Sequence, residues 1–545
     1  MPKIGGRAAR AAERHWRGVV ASEGLAAGTV FLLTPQERTA DVAATTPHKE
    51  RRRLKRAMEA ARRDIARLIA KTPEPESAHI LDIQLRILED KTLIGPVHAA
   101  IAAGASAAQA WNATVAVDDA VDAPADAPYL TARDSDTRDV RDRVARLLLG
   151  RRPAVPPLGA ILVAEDIGPT RFLEIDWSHG GGLALTGGSR SSHVAMLARA
   201  KGVPMLVGLA GGAGLVDGAP ALLDAERGEL VLDAPAAERA VFERRAIAFS
   251  ERTGQVALYL PGPAVTAEGE RVWVGINVAG PTDLDGLEPS HCDGVGLVRT
   301  EFLFQGAGRP PNERRQFEAY ERIIQWADGR PVTFRTLDGG GDKPIAGLSP
   351  ENEPDPFLGW RGVRLSLRHP AVFRVQLRAL LRAAALGPIR VMLPMVTSPD
   401  EVAAVRDLLD KVRRDLKTHR IGFGKVALGI MVEVPAAALA IEDFDADFYS
   451  IGSNDLIQYT LAVSRGARDL EALARPDHPA VLGLIERVVA HGLKTGCEVG
   501  LCGDMGGDPR YLDRLFDLGL RSLSVAPAAL ARVKAAIARI GRPQP

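Results

Sequence analysis

Apolar positions recur along this chain with two different periods, and each change of period marks a segment. Over residues 18–33 short apolar runs broken by Gly24 and Gly28, ending in Val30, Phe31, Leu32 and Leu33, predict strands. Over 51–71 the spacing turns helical, with Leu54, Met58, Ile65, Leu68 and Ile69 opposite a basic face. Leu85 and Leu88 continue that pattern through 82–88, the Pro/Ala/Asp-rich stretch 121–128 reads as a loop, and 139–149 predicts another helix. Short β runs then return at 160–164, 182–185, 205–207 and 229–232. The two flanks predict one small β/α domain, residues 18–45 and 150–234, carrying a helical insertion over 46–149.

A charged helical stretch at 234–252 and a proline break at 261–263 place a linker over 235–262. Beyond it, 263–545 repeats an apolar β run followed by a helical stretch. The runs are 272–278, 294–298, 332–334, 390–393, 428–432, 448–451, 499–501 and 523–525. Eight such units match the count of a (β/α)8 barrel of the TIM type. The predicted fold class is therefore α/β and multidomain.

Composition narrows the function. At 545 residues, with 46% hydrophobic and 25% charged positions, the chain can fill about three cores. Lys and Arg number 69 against 68 Asp and Glu, so no global field attracts nucleic acid or an anionic membrane, and any anion must be held locally. No apolar run is long enough to span a bilayer, and the N-terminus lacks the apolar core of a secretion signal. Cys292, Cys497 and Cys502 are too few for a disulfide framework and lack zinc-site spacing. A soluble protein of the reducing cytoplasm is expected. Residues 1–17, with Lys3 and four arginines, are expected to be a disordered extension without chemistry.

A barrel carries its chemistry at the C-terminal ends of its strands. The second run is followed by Arg299, Thr300 and Glu301, and the third by Arg335, Asp338, three glycines, Asp342 and Lys343. Later runs precede Glu433, then Asn454 and Asp455 with Arg465 beyond, and finally Cys502, Gly503 and Asp504. Arginine forks grip carboxylate or phosphate, while Glu433 and Asp455 offer hard oxygens suited to Mg²⁺. The implied substrate is a small phosphorylated acid. A lone cysteine near a strand end is usually a buried small hydrophobe. Cys502 differs in being surrounded by Gly500, Gly503, Gly506 and Gly507, which suggests close approach of a ligand. A thiol with a pKa near 8.5 is mostly protonated at pH 7 and could give its proton to carbon in an enol intermediate.

The segment from Gly187 to His193, GGSRSSH, reads as a loop entering a helix with Ser191 or Ser192 as N-cap. His193 then falls in the first turn, where backbone N–H groups favour an anion on its ring. A histidine at a helix start is often just polar surface. The glycines and small hydroxyls here favour a phosphorylatable one.

The stretches GGSRSSHVAMLAR, around His193, and DFYSIGSNDLIQYTLAVSR, residues 447–465, resemble the two signatures of the phosphoenolpyruvate-utilising phosphotransferases. GVGLVRTEFLF, FRTLDGGGDK, PFLGWRGVR and LPMV are similar to the Enzyme I family of the phosphoenolpyruvate:sugar phosphotransferase system, and the resemblance runs from about residue 18 to 535. It implies a swivelling phosphohistidine domain and a barrel that binds phosphoenolpyruvate and Mg²⁺ and forms a dimer. It also implies phosphorylation of His193 at Nε2 and transfer to a histidine of the small carrier HPr docked on the helical insertion. Under it, Arg299, Arg335 and Arg465 hold phosphate and carboxylate with help from Asn454, Glu433 and Asp455 ligate Mg²⁺, and Cys502 protonates the enolate of pyruvate.

The match departs at Ser189, Ser191, Val194, Ser464 and Asp504, where other residues are usual in the family. Two alternatives share parts of the pattern. A dikinase-type enzyme needs a further ATP-binding domain of several hundred residues, whereas only about 30 residues precede the insertion here. A non-catalytic regulatory homologue would be expected to have lost His193, an arginine or a metal carboxylate. A sugar pathway is the default expectation.

Overall fold

The computed structural model describes residues 14–33, 44–71, 81, 84–85, 87–88, 91–114, 128–190, 192–210, 215–304, 309–341, 345, 347–350, 353, 355–464, 470 and 473–541. Residues 1–13, Asp82, the stretch 121–127, Ser191, Asp342, Lys343 and Arg465, all of which carry expectations above, lie outside that set. The chain divides into two compact units, 1–252 and 253–545.

The first unit is built on an eight-stranded sheet. Its strands are β1 (His15–Arg17), β2 (Val19–Ser22), β3 (Leu25–Leu32), β4 (Ile161–Ala164), β5 (Gly182–Leu185), β6 (Met205–Val207), β7 (Pro220–Asp224) and β8 (Glu229–Leu232), in the order β1-β8-β7-β3-β4-β5-β6-β2. β3 and β4 are parallel neighbours, with Val30 opposite Ile161, although more than a hundred residues separate them in sequence. The chain thus leaves the sheet, builds a helical layer, and returns to the adjacent position.

That layer contains helices Pro47–Lys71, Lys91–Ala102, Ala107–Thr114 and Pro128–Leu148. Leu54, Ile65, Val97, Ile101, Trp111 and Val144 form its buried core, and Trp111 Nε1 donates to the Arg141 carbonyl at 3.0 Å. Between layers, the buried Asp139 carboxylate accepts from the Thr170 N–H at 2.8 Å and from Gln84 Nε2 at 2.9 Å.

Four expectations are corrected here. His15–Arg17 are not a loose extension: they pair with β8 and bury Trp16, because an indole that covers the sheet is worth more than a frayed end. The last insertion helix begins at Pro128, not at Asp139, with proline at a position that needs no N–H. β7 went unseen because Pro220 opens it, yet its Leu222 and Leu223 are buried against β3 and β8. The connector helix spans Ala236–Ala257, longer than its charge pattern indicated.

The second unit is a closed barrel. β10 (Arg271–Val278), β11 (Val295–Arg299), β12 (Val332–Arg335), β13 (Ile389–Leu393), β14 (Ala427–Val432), β15 (Phe448–Ile451), β16 (Glu498–Leu501) and β17 (Ser522–Val525) run parallel in sequence order. The first strand bonds both to the second and to the last, with Ile276 opposite Val295 and Val525. A short additional strand, β9 (Ala264–Val265), pairs antiparallel with β10.

The outer helices follow ordinary rules. In Glu313–Ala327 the buried Gln316, Tyr320, Ile323, Ile324 and Ala327 fall on one stripe, and Asn312 caps the first turn by accepting from the Arg315 N–H at 2.9 Å. Helix Pro399–Thr418 starts with a capping box between Ser398 and Glu401. Among the described residues no helix is long and apolar enough to cross a membrane, and all three cysteines are free thiols.

Candidate active site

In the first unit, β5 ends at Leu185 and the chain turns through Gly187 and Gly188 into helix His193–Lys201, which returns to β6. A side chain at residue 187 would stand 2.8 Å from the Glu165 carbonyl, and Gly188 has φ +77°, so both positions require glycine. Ser192 is the N-cap, its hydroxyl accepting from the Ala195 N–H at 3.2 Å. Arg199, on the next turns, holds the approach loop by donating to the carbonyls of Arg190 at 2.9 Å and Ala21 at 2.8 Å. His193 is the first helical residue and is half-buried, while Val194, Ala195, Leu197 and Ala198 anchor the helix in the core below.

In the second unit, strand ends deliver charged side chains to one mouth. Arg299 and Arg335 are register partners at the last positions of β11 and β12. Arg335 bonds to Glu301 Oε1 at 3.2 Å and to Asp338 Oδ2 at 3.0 Å, and Glu301 Oε1 also accepts the Asp338 N–H at 2.9 Å. Arg361 Nε and Nη2 fork Asp338 at 3.1 and 3.0 Å, while Nη1 and Nη2 reach Asp455 at 3.2 Å each. Glu433, directly after β14, accepts the Met395 N–H at 2.7 Å. Burial, reinforced by the negative charges of Asp455 and Asp338, pushes the Glu433 carboxyl up to about 8.

Cys502 follows β16, its N–H bonded to the Ile451 carbonyl at 3.0 Å and its carbonyl accepting from Asn277 Nδ2 at 3.0 Å. Its thiol faces the barrel interior among Leu297, Met392, Met431 and Phe448. Burial, with the charge of Glu433 as a further cause, pushes that thiol up to about 11; a Ser450 hydrogen bond and the charges of Arg335 and Arg299 act in the opposite direction. Asn454 is turned toward its neighbour: Nδ2 donates to Asp504 Oδ2 at 3.0 Å and Oδ1 accepts the Asp504 N–H at 2.9 Å.

Arg335, Glu433, Asp455 and Cys502 therefore meet as the sequence indicated, with Arg299 beside them, Asn454 engaged with Asp504, and Arg465 undescribed. The sequence placed Glu301 and Asp338 after barrel strands but gave them no role, and it gave none to Arg361. Sequence reasoning also missed Tyr459, whose hydroxyl accepts from Arg361 at 3.0 Å and donates to the Phe357 carbonyl at 2.7 Å. Arg361 follows no barrel strand, so a rule based on strand ends passes over it; its flanking Trp360 and Gly362 were the available signal.

Charge bookkeeping tests whether a cation fits. Glu301, Asp338, Glu433 and Asp455 are four buried carboxylates, and Arg335 and Arg361 are the two buried guanidiniums among them. With all four ionised, two negative charges are in excess, the charge of one divalent cation; Glu433, pushed up to about 8, takes up its charge most readily when a cation is beside it, and Glu301 Oε2 is buried without a hydrogen-bond partner. Among the described residues no three His, Cys, Asp or Glu side chains form a ready-made metal cage. A hard cation held by one or two carboxylates and completed by substrate oxygens suits this arrangement, and that is the habit of Mg²⁺.

Family comparisons match residues 255–542 to the PEP-binding domain of PEP-utilising enzymes, 17–133 to their N-terminal domain and 156–228 to their mobile domain. Curated proteins called phosphoenolpyruvate-protein phosphotransferase are similar over nearly the whole length. The one from Listeria innocua is 32% identical over 539 residues, covering 97% of this chain and 94% of its own. That from Geobacillus stearothermophilus is 33% identical over 553 residues, with 97% and 94% covered. The N-terminal domain of an Enzyme I of nitrogen type, a solved structure, covers 43% of this chain and 99% of its own at 25% identity. Its TM-score of 0.31 adds nothing to the fold described above. The extent and level of the sequence matches establish that the chain belongs to the PEP-utilising enzymes, among the phosphoenolpyruvate-protein phosphotransferases.

Proposed function

We propose that the chain moves the phosphoryl group of phosphoenolpyruvate first to His193 and then to a histidine of a small carrier protein of the HPr kind. In the first step the His193 Nε2 lone pair attacks phosphorus and the P–O bond to the enol oxygen breaks, leaving the enolate of pyruvate. Cys502 gives its proton to the enolate carbon, pyruvate departs, and solvent reprotonates the thiolate. In the second step the carrier's ring nitrogen takes the phosphoryl group from His193, with no change at carbon.

Arg299, Arg335 and Arg465 grip phosphate and carboxylate, and Asn454, held by Asp504, offers its remaining amide hydrogen to the same oxygens. Glu433 and Asp455 hold Mg²⁺. When bound, the ion supplies positive charge against the phosphate and enolate oxygens.

The domain limits follow the same reading. Residues 15–45 and 150–234 carry His193, 46–149 receive the carrier, 235–262 link, and 263–545 bind phosphoenolpyruvate and pair two copies through the barrel. Three free thiols support a cytoplasmic protein. The observation that carries this reading is the convergence of Arg335, Glu433, Asp455 and Cys502 on one barrel mouth. Its test is incubation with radiolabelled phosphoenolpyruvate and Mg²⁺. Wild type should gain an acid-labile, base-stable label, and His193→Ala labelled at the wild-type rate would refute it.

A further inference from the structure

We propose that Arg361 is the cation that occupies Asp455 until a divalent metal replaces it, and that this exchange sets the metal affinity of the barrel mouth. The proposal rests on the reading of Asp455 as a metal ligand. Arg361 is only 5% exposed, and all five of its N–H groups are engaged: two by Asp455, two by Asp338 and one by Tyr459. A guanidinium lying across both Asp455 oxygens puts positive charge where a metal would sit, and a metal taking those oxygens must overcome the repulsion between the two cations.

Release of Asp455 would cost Arg361 two of its five bonds, one from each of Nη1 and Nη2, whose other N–H groups go to Tyr459 and Asp338. The backbone beside it has no slack. A side chain on residue 340 would stand 2.3 Å from the Trp360 carbonyl, and one on residue 362 would stand 2.7 Å from Met395 Cβ. The exchange therefore involves the side chain and not the backbone, with the Asp338 fork left to hold Arg361. Arg361 offsets the charge of Asp455 in the metal-free mouth and makes the metal compete for its ligand.

The test is Mn²⁺ binding followed by electron paramagnetic resonance on the whole chain at fixed pH, which needs no turnover. Arg361→Lys keeps the charge but cannot fork two carboxylates, so it should tighten Mn²⁺ by about tenfold, the worth of the charge-assisted bonds removed. Asp455→Asn should weaken Mn²⁺ by at least about tenfold. If Asp455→Asn binds like wild type, the metal reading fails and takes this inference with it. If Asp455→Asn loses Mn²⁺ while Arg361→Lys leaves affinity unchanged, only the exchange is overturned. Should Arg361→Lys not fold, wild-type crystals grown with Mn²⁺ decide the matter. Asp455 freed from Arg361 supports the exchange, and Arg361 still bonded to both Asp455 oxygens overturns it.

Discussion

Glu433 Oε1 accepts the backbone N–H of Met395, a non-glycine residue held at φ +58°. Left-handed backbone at such a residue costs about 1 to 3 kcal/mol and persists only where the surroundings impose it. Here the strained turn aims an N–H at one carboxylate oxygen of Glu433. Glu433→Gln retains a carbonyl oxygen able to accept the same bond, so the melting midpoint should stay within about 4 °C of wild type. Formation of phosphohistidine should nevertheless fall at least about hundredfold, because the amide, unlike the carboxyl, cannot ionise to ligate Mg²⁺. Thermal melts and phosphoenolpyruvate-dependent labelling of one preparation check both halves; a large loss of stability would assign Glu433 to structure instead.

Gly503 tests how tightly the Cys502 turn is built. A β-carbon there would stand 1.9 Å from Ser453 Oγ and 2.7 Å from the Ser453 backbone nitrogen. Gly503→Ala should cost about 1 to 3 kcal/mol and depress pyruvate formation by moving Cys502. Adding Ser453→Ala removes the hydroxyl conflict but not the backbone one, so denaturant midpoints should show partial recovery. Full recovery would mean that the backbones are not locked.

Much of this was legible in the sequence, for reasons that differ by element. All eight barrel runs were apolar and short, and where a strand is buried on both faces the run is unbroken; Leu428, Gly429, Ile430, Met431 and Val432, buried in succession, show the pattern. Strand ends then pointed to Arg299, Arg335, Glu433, Asp455 and Cys502. Arg361 stood inside the stretch PFLGWRGVR, but its role was not legible, since it enters from a long connection and its five bonds come from residues distant in sequence. Asn454 was legible as a polar group at the mouth, but its bond to Asp504 depends on the register of two neighbouring strand ends. Trp16 was concealed by the basic residues around it.

The helix that carries His193 depends on its cap. Ser192 Oγ satisfies the Ala195 N–H, and Ser192→Ala should cost about 1 kcal/mol, measured as a shift in denaturant midpoint. Ser192→Thr keeps an acceptor and should recover most of the loss. If Ala and Thr variants are equally destabilised, the hydroxyl bond is not what holds the first turn.

Cys502 separates the two half-reactions. Its thiol, pushed up to about 11 chiefly by burial, stays protonated through the neutral range, which is the form a proton donor requires. The direction of that shift sets the pH behaviour: loss of the donor form comes only as pH approaches 11, so no alkaline fall in pyruvate formation below about pH 10 should trace to Cys502. At pH 8 only about one molecule in a thousand carries the thiolate, and iodoacetamide should modify the half-buried Cys497 well before Cys502. Cys502→Ala should lower pyruvate formation by about 10² to 10⁴, the usual contribution of a positioned acid. Phosphate exchange between His193 and a phosphorylated carrier makes no C–H bond and should remain within about tenfold of wild type. Both rates are to be measured on the same preparation. Equal losses would make Cys502 a packing residue among Leu297, Met392 and Met431, while unchanged pyruvate release would remove it from the mechanism.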